Sequence, residues 1–393
     1  KEKEKLIQQL YSCFVSLPST MISIQEIHTK KEMKQFVTFP FSLYKDNPYW
    51  VPPIIKDELQ GFDKNKNPVF EQAEARFFLA FKNGKIVGRV CAIINWTEVK
   101  QQGIKKMRFG WFDTIDDMNV SRMLLDKVKE IGLKNKLDFI EGPVGFSNLD
   151  KVGILTEGFD HIGTMITWYN HPYYKDHLEK LGYKKEKEFL ENKFKFKNVD
   201  AEYHDRISTL LKKRYQLNAL QLYRTKDIMP YVDEMFALFN KSYASLSSFV
   251  PISKKQQAYF KKKHISFINP EYIKFVTDKD DKMIAFGIVM PSFSSALQKA
   301  RGSLFPFGIF HLLKAKKHSK EVTFYLIGVD PAYQNKGITA IIFDEYTKTF
   351  AKKGIIDCIR TPELADNTAI HQLWKNFDPV THKKRSTYKM DIV

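Results

Sequence analysis

Apolar residues run almost unbroken from Val322 to Val329, stop at Asp330-Pro331, and resume at helical spacing at Ile338, Ile341, Ile342, Tyr346 and Phe350. The pattern predicts a strand buried on both faces, a polar turn at Tyr333-Gln334-Asn335-Lys336-Gly337, and a helix closed by Lys352-Lys353-Gly354. The chain before it has the same grain. Residues 22–27 read as a strand, 31–43 as a helix, 75–81 and 85–95 as a hairpin across Asn83-Gly84, 108–112 as a strand, 120–134 as a helix and 139–146 as a strand. A helix after Asn170-His171-Pro172 ends at Gly182-Tyr183, and a strand over 189–196 closes this first unit. The order then repeats: strand 220–224, helix 229–246, hairpin 273–278 and 283–290, the strand–turn–helix above, and C-terminal strands around 386–392.

This repetition predicts an α/β (α+β) protein of two tandem units, each a mixed twisted sheet flanked by helices. Residues 1–20 form an N-terminal extension, 21–200 the first domain and 201–393 the second. One segment, 291–320, has no counterpart in the first unit. Its apolar block Leu304, Phe305, Phe307, Ile309, Phe310, Leu312 and Leu313 is followed by Lys314, Lys316, Lys317 and Lys320. Apolar plus basic composition suits an element lying at a membrane surface. A helix pair packed on the core is the other reading. The loop Lys45-Asp46-Asn47-Pro48-Tyr49-Trp50-Val51-Pro52-Pro53 likewise reads either as a rigid loop packed on the core or as the wall of a substrate groove.

A buried strand, a tight turn and an immediate helix gather free backbone N–H groups where the helix dipole favours negative charge. Gly337 lets a pyrophosphate approach the backbone, and Lys336 adds a cation. On geometry alone this is also an ordinary strand–helix connection. The residue identities add more: Gln334-Asn335-Lys336-Gly337-Ile338-Thr339-Ala340 fits Q/R-x-x-G-x-G/A and resembles the acyl-CoA pyrophosphate motif of the GNAT superfamily of N-acyltransferases. The resemblance covers about 320–376, with 355–360 as the following strand and Asn367 opening the helix that carries His371 and Trp374. It implies an acyl-CoA-dependent N-acyltransferase with the second unit holding the cosubstrate. Backbone groups of Ile327, Gly328 and Val329 would bond the pantetheine arm, Gln334 to Ala340 the pyrophosphate, and Asn367 and Trp374 would lie along the other wall. Two departures stand out. Trp374 occupies the place where many members carry a tyrosine that protonates the leaving thiolate, and Asn376-Phe377-Asp378 replaces Gly-Phe.

Amide formation from a thioester requires a deprotonated amine, a polarised carbonyl and a protonated thiolate. Candidates for the proton transfers are Glu363 just after the fifth strand, Tyr325 and His371. Glu363 also suits a solvated loop, and His371 a helix surface. In the first unit the corresponding turn, Asp113-Thr114-Ile115-Asp116-Asp117, offers carboxylates in place of a glycine and a cation, so only one CoA is expected per chain.

The 393 residues carry 63 basic and 45 acidic side chains, a net charge of +18, which favours anionic partners such as CoA and acidic lipid headgroups. No nucleic-acid-binding signature accompanies that charge, so nucleic acid is not expected as a partner. Cys13, Cys91 and Cys358 are far apart, with no metal-ligand spacing, which implies a reducing compartment, no disulfide framework and no metal. No apolar run approaches the length of a membrane span. A cytoplasmic enzyme, in peripheral contact with a membrane through 304–320, is the expectation. It transfers an acyl group, long-chain in one reading, to a primary amine, which a lipid-like molecule could supply. The alternatives are a degenerate unit that binds an acylated or acidic ligand, and an aminoacyl-tRNA binder.

Overall fold

The computed structural model describes residues 21–392 apart from 148, 247–248 and 263–267, and the expected extension over 1–20 lies outside the described residues. The first half runs β1 (Ile22–Glu26), α1 (Lys30–Leu43), α2 (Ile55–Gly61), β2 (Ala73–Lys82), β3 (Lys85–Asn95), β4 (Lys106–Thr114), α3 (Met118–Lys134), β5 (Phe139–Gly142), β6 (Ile154–Glu157), α4 (Tyr173–Lys180) and β7 (Lys184–Lys195). The second half runs α5 (Ala201–Tyr215), β8 (Asn218–Ala219), α6 (Val232–Tyr243), α7 (Lys254–Phe260), β9 (Ile273–Thr277), β10 (Met283–Pro291), α8 (Ser294–Ala300), α9 (Gly308–His318), β11 (Glu321–Val329), α10 (Thr339–Lys353), β12 (Asp357–Arg360), β13 (Glu363–Leu364), α11 (Thr368–Trp374) and β14 (Val380–Asp391). The Asn83-Gly84 hairpin forms with both residues at positive φ, the conformation a tight hairpin turn requires.

All strands belong to one mixed sheet of 14, in the order β1-β2-β3-β4-β5-β14-β7-β12-β11-β10-β9-β8, with β13 beside β7 and β6 beside β14. Among the described residues only β4–β5 and β11–β12 pair in parallel. Helices cover both faces. In the first half α3 buries Val120, Leu124 and Val128 on Met107 and Phe109, and α1 buries Phe36 and Val37 on Phe77 and Leu79. In the second, α10 buries Ile341, Ile342 and Tyr346 on Val322, and α6 buries Met235, Phe236 and Phe239 on Phe275 and Phe286.

The strands at the centre correct the sequence reading. β7, expected to close the first unit, pairs with β12 of the second, and β14, the last strand of the second, pairs with β5 of the first. The two also pair with each other over most of their length. Alternation specifies which face of a strand is buried, not which neighbour it chooses. Here the choice has a chemical signature. Glu191 on β7 takes Lys383, at 3.0 Å, and Arg385, both from β14, and all three side chains are fully buried. A carboxylate so deeply buried needs cations at hand, and only the exchanged strand supplies them. The strand expected over 220–224 does not form there: a two-residue strand, Asn218 and Ala219, pairs with β9 just before it.

The segment 291–320 forms a helix pair, α8 and α9. Its inner face packs Leu297, Ala300 and Leu312 against Val51, Ile54 and Phe293. Gln298 Nε2 donates to the carbonyls of Pro48 and Trp50, 2.8 and 3.0 Å away, so the pair is pinned to the aromatic loop of the first half.

Candidate active site

β11 and β12 run side by side only from Glu321–Asp357 to Phe324–Arg360, with a last link from Thr361 N to the Phe324 carbonyl at 3.2 Å. Beyond that β11 continues to Val329 alone on this side, and a gap opens. Tyr325 is an extra residue there: Leu326 pairs with Ile288 and Phe324 with Val289, leaving Tyr325 as a β-bulge. The ladder to β10 fixes which backbone groups line the gap. Asp330 N donates to Ile284 O at 2.8 Å, and antiparallel pairing alternates. Gly328 and Leu326 therefore turn their polar groups to β10, and Ile327 and Val329 turn theirs into the gap. Gly328 has no room for a side chain, since a Cβ would sit 2.3 Å from Phe286.

At the end of β11 the turn is built by Asp330. Its carboxylate accepts from Ala332 N at 2.9 Å and pairs with Lys241. Asn335 (φ 60°) and Gly337 (φ 76°) swing the chain into α10. The first residues of α10 receive no side-chain cap, and the amides of Gly337 and Ile338 have no acceptor among the described residues. The turn is exposed. Lys336 lies over the rings of Tyr333 and Tyr215, 4.9 and 5.6 Å from their centres. Unsatisfied N–H groups, a helix N-terminus and a lysine thus meet at one solvent-open point, as anion binding needs.

The first half repeats the geometry but not the vacancy. β4 and β5 also pair only at their first three residues, and β4 carries a bulge at Trp111 (φ 45°) and Phe112. Its gap is filled from within. Tyr174 Oη accepts from Thr114 N at 2.8 Å, Tyr173 Oη donates to Thr114 O at 2.6 Å, and Tyr44 Oη donates to Asp113 at 2.7 Å. Asp113 is buried against Arg89. Asp117 caps α3 by accepting from Asn119 N and pairs with Lys82, so the helix N-terminus already has its anion. Beside this filled gap lies a cavity of about 500 Å³ walled by Tyr44, Asn47, Tyr49, Phe159, Tyr169 and His171. The aromatic loop packs Tyr49 and Trp50 against Tyr44, Leu155 and Tyr169, and its Asn47 and Tyr49 also line this cavity.

The residues singled out in the sequence divide into two groups. Ile327, Gly328, Val329, Gln334, Asn335, Lys336, Gly337, Ile338, Thr339 and Ala340 follow one another along the gap and around the α10 turn. The others have local partners. Glu363, on the short β13, is ion-paired with Arg360, whose guanidinium lies 4.8 Å over the ring of Trp374. Burial lowers the Arg360 pKa to about 9, and it remains a cation at neutral pH. Trp374 is itself buried among Phe194, Phe324, Phe343 and Phe377, and its Nε1 has no partner. Asn367 caps α11 by accepting from Ile370 N, and His371 Nε2 donates to the Leu364 carbonyl at 3.1 Å. Tyr325 Oη reaches the Leu149 carbonyl of the first half at 3.4 Å, and burial raises its pKa.

A group the sequence did not single out enters the gap. Tyr243, the last residue of α6, donates from Oη to the Ile327 carbonyl at 3.0 Å. It stacks on Phe239, and burial pushes its pKa up to about 12. Tyr44, just past the end of α1, also reaches a strand beyond its bulge, but through the side chain of Asp113 on β4. Among the described residues no cluster of His, Cys, Asp or Glu is arranged to hold a metal, and Cys91 and Cys358 are free and buried. Among the described residues no helix is long and apolar enough to cross a membrane.

No protein-family profile matches the chain. Two known sequences are similar along most of their length. Protein YghO of Escherichia coli is 27% identical over 373 residues, covering 92% of this chain and 94% of that protein. A bacterial ceramide synthase of Caulobacter vibrioides is 25% identical over 319 residues, covering 80% and 82%. Among solved structures, a tandem GNAT protein from the clavulanic acid biosynthesis pathway superposes with a TM-score of 0.57 at 8% identity, covering 95% of this chain and 99% of that one. A GCN5-related N-acetyltransferase from Sphaerobacter thermophilus gives 0.52 at 8% identity over 96% and 97%. The bulged, splayed β4–β5 and β11–β12 pairs, repeated in one continuous sheet, are those of a tandem GNAT fold, and this chain is a GNAT-fold protein with two such units.

Proposed function

We propose that the protein is an N-acyltransferase that moves an acyl group, long-chain by preference, from CoA to the primary amine of a lipid-like acceptor. The observation that carries the reading is the uncapped N-terminus of α10 at the mouth of the β11–β12 gap, beside a first unit whose equivalent gap is closed. The Gly337 and Ile338 amides and Lys336 would receive the pyrophosphate, and the backbone of Ile327 and Val329 the pantetheine arm. An N–H of β11 facing the gap would polarise the thioester carbonyl.

The acceptor nitrogen attacks that carbonyl, the C–N bond forms and the C–S bond breaks. The ammonium proton leaves to solvent or to Glu363, and the CoA thiolate must gain one. Trp374 has no acidic proton to give. Tyr243 has: its hydroxyl already stands at the Ile327 carbonyl and stays protonated well above neutral pH. We assign it the role of proton donor, recovering its own proton from solvent. Tyr325 and His371 remain the other candidates, each engaged with a backbone carbonyl.

Similarity to a protein named a ceramide synthase supports the choice of a long acyl chain and a lipid-like amine. A second reading, a binding protein without turnover, draws on Trp374 standing in the tyrosine position. Incubation with acetyl-, octanoyl- and palmitoyl-CoA against a panel of short and long-chain amines, read by mass spectrometry, decides between them. Amide product growing with chain length supports the transferase; CoA binding without any product supports the binder.

A further inference from the structure

The outer surface of the α8–α9 pair has the wrong polarity for water. Phe305 and Phe307, just before α9, are 75% and 72% exposed, and Phe310 and Leu313 on α9 are 65% and 50% exposed. Among the described residues these are the three exposed phenylalanines. Soluble proteins scatter single exposed apolar side chains but do not gather four large ones in nine residues without a use for them. The inner face of α9 is already satisfied, since Leu312 is buried against the α8 side of the pair. The exposed set is therefore additional to what packing required.

The charge around it is one-sided. Residues 291–320 contain five lysines and one arginine and no aspartate or glutamate. That is a third of the net charge of +18 in 30 residues of a 393-residue chain. At helical spacing Phe310, Leu313, Lys314 and Lys317 share the exposed side of α9, with the apolar pair toward the N-terminus and the lysines toward the C-terminus. Lysine stems can lie along an apolar phase while their heads meet anionic groups at its edge.

We propose that this face docks on an anionic lipid bilayer, Phe305, Phe307, Phe310 and Leu313 entering the acyl-chain boundary and Lys314 and Lys317 meeting the headgroups. A second protein surface would complement the aromatics, but a 30-residue segment with six cations and no acid matches a surface that is negative throughout. α9 leads through Ser319 and Lys320 into the paired end of β11, the strand whose far end lines the gap. Docking would thus hold the unit that carries the candidate site at the phase where a lipid-like acceptor resides. That last step rests on the proposed function; the docking itself does not.

The test uses the full chain without CoA. Vesicles of phosphatidylcholine alone and of phosphatidylcholine mixed with phosphatidylglycerol are sedimented with the protein at about 0.1 M salt. Wild type should sediment with the anionic vesicles and far less with the neutral ones. Phe305→Ser/Phe307→Ser/Phe310→Ser should weaken binding by at least about 30-fold, because the apolar area is the anchor. Lys314→Glu/Lys317→Glu should weaken it about tenfold or more and remove most of its salt dependence. Melting temperatures and CoA affinity check that the variants fold; if the triple variant does not, Phe307→Ser alone and the lysine pair carry the test. Wild type left in the supernatant with anionic vesicles overturns the proposal. So does retention of full binding by the serine and glutamate variants, or a dimer in sedimentation velocity that the triple variant abolishes while vesicle binding is absent. Because no acyl transfer is measured, an inactive protein that docks leaves this inference standing and the enzymatic one fallen.

Discussion

The hydroxyl of Tyr243 donates to the main-chain carbonyl of Ile327 across 3.0 Å, joining the last turn of α6 to the open edge of β11. Ile327 is the first residue past the bulge whose backbone faces the gap, and in the proposed reaction this hydroxyl would stand beside the thioester. Tyr243→Phe removes one oxygen and keeps the ring stacked on Phe239. We expect kcat to fall about 100-fold while CoA affinity stays within about threefold of wild type. Since the Tyr243 pKa is raised to about 12, wild-type kcat should not decline through loss of this proton below about pH 10. A variant with unchanged kcat across pH would remove Tyr243 from the reaction.

Gly337 tests the anion site. A side chain there has space, the nearest atom being Leu211 Cδ1 at 3.7 Å from a built Cβ, but it brings backbone strain at φ 76°. Gly337→Asp adds a negative charge as well. CoA affinity should drop at least about 100-fold with little change in melting temperature. Calorimetry with CoA reads the first, and a thermal melt the second.

The filled gap of the first half sets a stoichiometry. With Asp117 capping α3 and Tyr173 and Tyr174 bonded to Thr114, no second pyrophosphate has a place to sit. Titration should give one CoA per chain. Two equivalents bound would contradict the asymmetry between the halves.

Glu191 ties stability to pH. Burial alone would raise its pKa, but Arg385 and Lys383 outweigh burial and bring it from 4.5 down to about 2. A lowered folded-state pKa contributes stability that is complete above about pH 4.5 and disappears as pH falls toward 2. Its size is about 3 kcal/mol. Glu191→Gln leaves two buried cations without their carboxylate and should cost about 3–5 kcal/mol at neutral pH. Urea denaturation across pH should show the gap between variant and wild type narrowing only below about pH 4.5. A gap that is small at pH 7 would mean the triad relaxes without its centre.

The strand–turn–helix of 321–354 was legible because each part has its own local code: a two-face apolar run, a Pro-ended turn and a helical apolar stripe with cations and glycine at its end. The Asn83-Gly84 hairpin was legible for the same reason. What local code does not carry is partnership between distant strands. Nothing in the alternation of 184–195 says that it lies beside 357–360, and nothing in 380–391 says that it reaches back to 139–142. Tyr243 was missed on similar grounds, as an aromatic at the end of an amphipathic helix reads as core until the gap beneath it is seen. The exposed face of α9 was half visible: composition announced apolar and basic residues together, but only packing separates Leu312, turned inward, from Phe310 and Leu313, turned out.

The exchange of β7 and β14 has a consequence for how the chain is made. β5 ends at Gly142, and the strand that covers its free edge ends at Asp391. At about 5–20 residues per second, a ribosome needs roughly 10–50 s between the two. Through that interval the first half carries an unpaired strand edge, and Glu191 on β7 emerges well before the two cations of β14 that neutralise it. Neither half can be completed early and set aside, because the one sheet closes only when residues 380–391 have emerged.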